Sequence, residues 1–210
     1  ATPESGNKVF VEFDGVFMNS TVYVNGISAG TRPYGYSSFS YDITDMLNPA
    51  GQDNVIAVRC DNADQPNSRW YAGCGIYRNV RLVTTGPAHV AWSGTWVNTP
   101  EITSSHAIVA AEVTVDGKIG TDVTVQNIIR NDKGGVVAHG EILNVDSSVI
   151  KDTLTIVKPH LWDIEDTYQY TLETTVKVNG TATDVYNTRF GVRSTAFDVD
   201  HGFFLNGKPL

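Results

Sequence analysis

The chain has 210 residues, room for one large or two ordinary domains, and its 41% hydrophobic, 10% aromatic and 18% charged content describes a globular protein with an ample core, not a disordered one. A net charge of −8 with no basic cluster argues against a phosphate backbone as partner, so nucleic acid is excluded. No apolar run approaches the ~20 residues of a membrane span, no signal peptide is visible, and the start, Ala1-Thr2-Pro3, leaves localisation open.

Recurrent Val and Thr point to an all-β chain. Residues Lys8 to Val16 alternate with period two, which puts Val9, Val11 and Phe13 on one strand face. Thr21-Val22-Tyr23-Val24 meets Asn25-Gly26, a hairpin signal because both turn residues must tolerate positive φ, and Ile27 to Gly30 returns. A polar, aromatic loop, Arg32-Pro33-Tyr34-Gly35-Tyr36, leads to a strand with Phe39, Tyr41 and Ile43 in phase. Thr44 to Leu47 reads as one helical turn, stopped by Asn48-Pro49-Ala50-Gly51. Asn54 to Cys60 is almost continuously apolar, so a strand buried on both faces is expected.

The run Asn67-Ser68-Arg69-Trp70-Tyr71-Ala72-Gly73-Cys74-Gly75-Ile76-Tyr77-Arg78-Asn79-Val80 packs arginines, an indole and phenols around small residues. On physical grounds it is either a β-bulge that seats Trp70 and Ile76 in a core, or a presentation of Arg69 and Trp70 to a polar, ring-shaped ligand. The two cysteines, Cys60 and Cys74, form neither a disulfide scaffold nor a metal spacing and are expected as buried free thiols rather than as a bridge. Gly86-Pro87 marks a boundary. Beyond it, seven strand candidates follow, roughly at 88–98, 105–116, 122–131, 136–145, 149–158, 168–178 and 182–191, with Asp132-Lys133-Gly134-Gly135 and Asn179-Gly180 as turns. That spacing reads as a fibronectin-like or immunoglobulin-like sandwich. The indole of Lys158-Pro159-His160-Leu161-Trp162 is expected to plug one end of it.

These motifs together resemble family 2 glycoside hydrolases, the β-galactosidase, β-glucuronidase and β-mannosidase family. Phe13-Asp14-Gly15-Val16, Val22-Tyr23-Val24-Asn25-Gly26, Asn54 to Arg59, and Asn67 to Val80 are similar, in that order, to the family's first, sugar-binding jelly-roll sandwich. Pro159-His160-Leu161-Trp162 and Phe190-Gly191-Val192-Arg193 match its second, immunoglobulin-like domain, and Gly202 to Pro209 looks like the lead-in to its (β/α)8 barrel. The resemblance therefore implies two β-sandwich domains: residues 1–86 as the C-terminal part of the jelly roll, 87–196 as the immunoglobulin-like sandwich, and 197–210 as the lead-in. Family members carry further strands before the equivalent of Lys8, so open sheet edges are expected in the first domain, and these could pair with a second copy to form a homo-oligomer.

The chemistry implied is a retaining hydrolysis of terminal glycosidic bonds, most simply of β-galactosides, by two barrel glutamates. Glu12, Glu112, Glu141 and Glu173 lie within strands and read as solvated faces instead. The five histidines show no ligand spacing, and no nucleophile elbow or phosphate-binding glycine motif occurs, so neither metal nor cofactor is expected. Carried over position by position, the resemblance points to Asp61, Arg69 and Trp70 near the barrel mouth. Asp61 would accept from sugar hydroxyls, Arg69 would pair with it or with a barrel-loop carboxylate, and Trp70 would offer a flat face to a sugar ring. The same three residues could instead only seal the contact with the barrel. The family's substrate-reaching Asn is not carried over, because Phe17 occupies its place and Asn19 comes two residues later. The implied partners are a galactoside-like carbohydrate and the barrel domain. The rival reading is a stand-alone carbohydrate-binding or adhesion module.

Overall fold

The structure is a computed structural model; it describes residues 6–63 and 73–210. The chain divides into two compact units, Ala1–Pro87 and Ala88–Leu210. Apart from one 3-10 turn at Thr44–Met46, every regular element among the described residues is a β-strand.

In the first unit the strands are β1 (Lys8–Phe13), β2 (Val16–Phe17), β3 (Ser20–Val24), β4 (Ile27–Arg32), β5 (Phe39–Asp42), β6 (Ile56–Arg59), β7 (Gly75–Ile76) and β8 (Val80–Thr85). They form antiparallel sheets in the orders β5-β1-β8 and β4-β3-β6, with a short β2-β7 ladder. Alternation works as expected: Val9, Val11 and Phe13 of β1 and Val22 and Val24 of β3 turn into one core with Val16, Phe39 and Ile43. The strand expected over residues 8–16 breaks at Asp14-Gly15, where the Asp14 amide donates to the Asn79 carbonyl (3.0 Å). Asn25 and Gly26 take φ of 50° and 83°, the double positive that a two-residue hairpin turn demands. The Asn25 side chain also bonds the carbonyl of Met46 and the amide of Val55, tying the hairpin tip to the approach of β6.

The strand at Asn54 to Cys60 corrects an expectation. It is not buried on both faces: β6 is an edge strand paired with β3 alone, and Val55 and Ile56 are 65% and 41% exposed. An unbroken apolar run does not distinguish a doubly covered strand from an edge strand. Only Val58 and Cys60 pack against the core. On the other sheet, Val80 and Leu82 of β8 lie opposite Phe13 and Val11, and so on the core side, yet they too are exposed at the edge.

The second unit contains β9 (Ala88–Ile102), β10 (His106–Gly117), β11 (Gly120–Arg130), β12 (Val136–Val145), β13 (Val149–Val157), β14 (Tyr170–Val178) and β15 (Thr181–Phe190). A three-stranded sheet, β13-β10-β9, faces a four-stranded one, β12-β11-β14-β15. A terminal hairpin array follows, made of β16 (Thr195–Asp198), β17 (Gly202–Leu205) and β18 (Lys208–Pro209). The inward residues form two apolar clusters, one around Val109, Ile129, Leu154 and Leu172, the other around Val113, Val125, Val145 and Val176. Within the same interior, Thr174 donates to Asn127 Oδ1 (2.7 Å) and Asn127 Nδ2 to Asp152 (3.0 Å), a polar bridge from β14 through β11 to β13 on the facing sheet. Asn127 and Thr174 are fully buried. Gly140 of β12 lies against this bridge; a Cβ there would collide with the Asp152 carboxylate and stand 3.0 Å from the Asn127 carbonyl oxygen.

At one end of the sandwich it is Leu161, not the indole, that packs on the core. Trp162 is half-buried against Gly191, with the Arg193 guanidinium 4.9 Å above its ring. The strand glutamates are also less free than expected. Glu173 makes a two-pronged contact with Arg130 (2.8 and 2.9 Å), and Glu112 pairs with Lys151 (2.9 Å). Burial is the largest influence on Glu12 and raises its carboxyl.

Asn127→Ala should lower the stability of the second unit by about 2–4 kcal/mol, because it strands the Thr174 donor and leaves the Asp152 carboxylate with only the Thr153 amide; urea unfolding measures this. The Arg130 hydrogen bonds hold the Glu173 carboxyl below its usual range. A depressed folded pKa contributes stability above the ordinary glutamate value of about 4.3, and that contribution is lost as pH falls through the folded value. Acid titration of the melting temperature should therefore be shallower in Glu173→Gln than in the parent chain.

Candidate functional site

Asp61 is held from several sides. Its amide donates to the Met18 carbonyl (3.0 Å), and its own carbonyl accepts from Asn19 Nδ2 (3.2 Å). Its carboxylate accepts from Arg59 (2.8 Å) and from the Ala63 amide (3.2 Å). The pair remains open to solvent, with the Arg59 side chain 67% and the Asp61 side chain 42% exposed. An ion pair this exposed contributes little to stability.

The Met18–Asn19 turn that holds Asp61 also holds the aromatic loop. The Phe17–Met18 peptide is cis, and Asn19 follows with φ of 47°. The Asn19 amide donates to the Pro33 carbonyl (3.0 Å). Within the loop, the Arg32 guanidinium donates twice to Ser37 Oγ (3.0 and 2.8 Å), and the Tyr77 hydroxyl donates to the Gly35 carbonyl (2.9 Å). Gly35 lies on the ring of Phe17, where a Cβ would not fit, and Gly15 lies on the ring of Tyr77. Tyr36 meets Phe17, Tyr34 and Tyr77 edge-on, at centroid distances of 5.2, 5.8 and 6.5 Å. Phe17 is buried, whereas Tyr34, Tyr36 and Tyr77 are 62%, 55% and 50% exposed.

Of the residues expected from sequence, Asp61 sits beside this aromatic cluster, while Arg69 and Trp70 lie outside the described residues. The tail of their run does not enter a core: Gly75–Ile76 pairs with Val16–Phe17, and Ile76 is half exposed. Cys60 and Cys74 are free thiols, but neither is buried as expected: Cys60 is half-buried and Cys74 exposed. Burial, with Cys74 beside it, pushes the Cys60 thiol up. Sequence reasoning set Asn19 aside as displaced by two residues, whereas its side chain contacts the Asp61 backbone, and it read Tyr34 and Tyr36 only as loop. The available signal was two tyrosines around a glycine, Tyr34-Gly35-Tyr36; their convergence with Phe17 and Tyr77 is a property of the fold.

Comparison with known proteins gives this geometry a family. The model for the glycosyl hydrolases family 2 matches residues 88–193. A β-galactosidase of Bacteroides ovatus, BoGH2A, is 47% identical over 208 residues, which cover 96% of this chain and 24% of that protein. A putative β-glucuronidase of Formosa agariphila is 36% identical over 202 residues, covering 96% and 19% respectively. Among solved structures, a family 2 member from Bacteroides cellulosilyticus superposes with a TM-score of 0.91 at 32% identity, covering 98% of this chain and 29% of that one. The chain thus spans about a quarter of the length of the relatives it matches. It belongs to family 2 of the glycosyl hydrolases.

Proposed function

We propose that this chain is the non-catalytic front part of a retaining family 2 exo-glycosidase that removes terminal β-galactosyl units. In this reading, residues 1–86 belong to the sugar-binding jelly roll, 87–196 to the immunoglobulin-like sandwich and 197–210 to the lead-in to a (β/α)8 barrel. The observation that carries it is the 47% identity, sustained across 208 residues, with the β-galactosidase of Bacteroides ovatus. A β-glucuronidase is the second reading. It is favoured by the 36% identity with a putative β-glucuronidase of Formosa agariphila and by a β-glucuronidase structure with a TM-score of 0.87 at 27% identity.

Two carboxyl groups facing each other across the scissile bond perform the chemistry in a retaining enzyme, one as acid and base, the other as nucleophile. We assign both to the barrel. Glu112 and Glu173 are engaged by Lys151 and Arg130, a structural use of carboxylates. The contribution of this chain is recognition. Asp61 accepts from sugar hydroxyls, Arg69 neutralises a neighbouring carboxylate, and Trp70 covers an apolar sugar face.

The 210-residue chain should release no nitrophenol from nitrophenyl β-galactoside, while the product of the gene read past Leu210 should hydrolyse it faster than the matching β-glucuronide. Preference for the glucuronide would transfer the assignment to the second reading, and hydrolysis of neither would remove both. In that longer product, Asp61→Ala should lower kcat/KM by about tenfold or more, the scale of a lost charge-assisted contact of ~1.5–3 kcal/mol. Its melting temperature should move little, because the Arg59–Asp61 pair is exposed.

A further inference from the structure

We propose that Cys60 and Cys74 form an oxidisable dithiol pair whose disulfide closes the base of segment 61–73. The inference goes beyond the sugar reading and does not need it, since both partners belong to this chain. They are its two cysteines, and they flank that segment, Cys60 directly after β6 and Cys74 directly before β7. The corner at Phe17 and Met18 draws the two ends together. The amide of Asp61, the residue after Cys60, donates to the Met18 carbonyl (3.0 Å), and Gly75, the residue after Cys74, lies opposite Phe17 in the β2-β7 ladder. Each cysteine is therefore adjacent to a residue that meets this corner. The side chains meet as well: after burial, Cys74 is what acts on the Cys60 thiol, so the two thiols are neighbours.

The two thiols differ in the way that exchange chemistry uses. Cys74 is exposed, whereas Cys60 is half-buried and packs against the core of the first unit. The thiolate is the nucleophile in exchange, and access decides which thiol reacts first. The oxidant is a small-molecule disulfide such as oxidised glutathione. The Cys74 thiolate attacks one of its sulfur atoms, forms a mixed disulfide and expels a glutathione thiolate. Cys60 then gives up its proton and attacks Sγ of Cys74, which expels the second glutathione. The protein pair is oxidised by two electrons, the small disulfide is reduced to two thiols, and the protons lost by the cysteines end on those thiols. The new bond joins the ends of the segment that carries Asp61, Arg69 and Trp70. Covalent closure of such a loop restricts the unfolded chain and so favours the folded one.

The test is treatment of the folded 210-residue chain with oxidised glutathione. Thiol counting should show both cysteines lost, and dithiothreitol should restore both. Trypsin cleavage after Arg59, Arg69 and Arg78 places the cysteines in separate peptides, which a non-reducing map should find joined within a monomer. The oxidised chain should melt higher than the reduced one by about 5 °C or more, the scale of a short loop closed covalently. Cys60→Ser should instead retain glutathione on Cys74, visible as an adduct by mass spectrometry. If that variant fails to fold, the map and the melting shift of the parent chain carry the test. A glutathione adduct that persists on Cys74 of the parent chain, a bond between two copies, or an oxidised chain that melts no higher than the reduced one would overturn the proposal. These readouts involve no sugar, so they stand or fall apart from hydrolysis of the nitrophenyl substrates.

Discussion

The candidate site depends on a turn of two residues. Met18 and Asn19 present a carbonyl to the Asp61 amide, a side-chain amide to the Asp61 carbonyl, and a backbone amide to the Pro33 carbonyl. One short stretch thus aligns the end of β6 with the start of the aromatic loop. Since a buried or half-buried backbone group without a partner is costly, these contacts restrain the loop more firmly than its length would suggest. The carboxylate of Asp61 and the phenols of the loop keep their relative places because both are referred to the same turn.

Much of the architecture was legible because alternation and turn chemistry are local. Val9, Val11 and Phe13 revealed the buried face of β1, Val109, Ala111, Val113 and Val115 that of β10, and Asn25-Gly26 the first hairpin. Asn179-Gly180 adopts the same paired positive φ, as the two residue types predict. The face exposure of β6 was not legible, because whether an apolar strand is covered depends on neighbours that its own residues do not encode. The same limit applied to Trp162 and Leu161. Both are apolar in a break between strands, and only the packed sandwich decides which one enters the core.

The site was half legible for a related reason. Asp61 was reached through a motif that stands in one piece along the chain. The aromatic cluster draws on Phe17, the loop at 34–36 and Tyr77, which are brought together by the β2-β7 ladder and by the Tyr77–Gly35 hydrogen bond. No window of sequence contains that set. Asn19 shows the converse: counted along the chain it is displaced by two from the family's position, yet in space it touches the backbone of Asp61.

The second unit stabilises its interior differently. Two apolar clusters are accompanied by a polar bridge from Thr174 through Asn127 to Asp152, which links facing sheets by directional bonds where dispersion alone would allow sliding. Gly140 is the geometric partner of that bridge, since its missing side chain is the space the Asp152 carboxylate fills. An alanine at 140 would push the Asp152 carboxylate aside and crowd the Asn127 carbonyl oxygen, so it would loosen the tie between the sheets unless residue 152 changed as well.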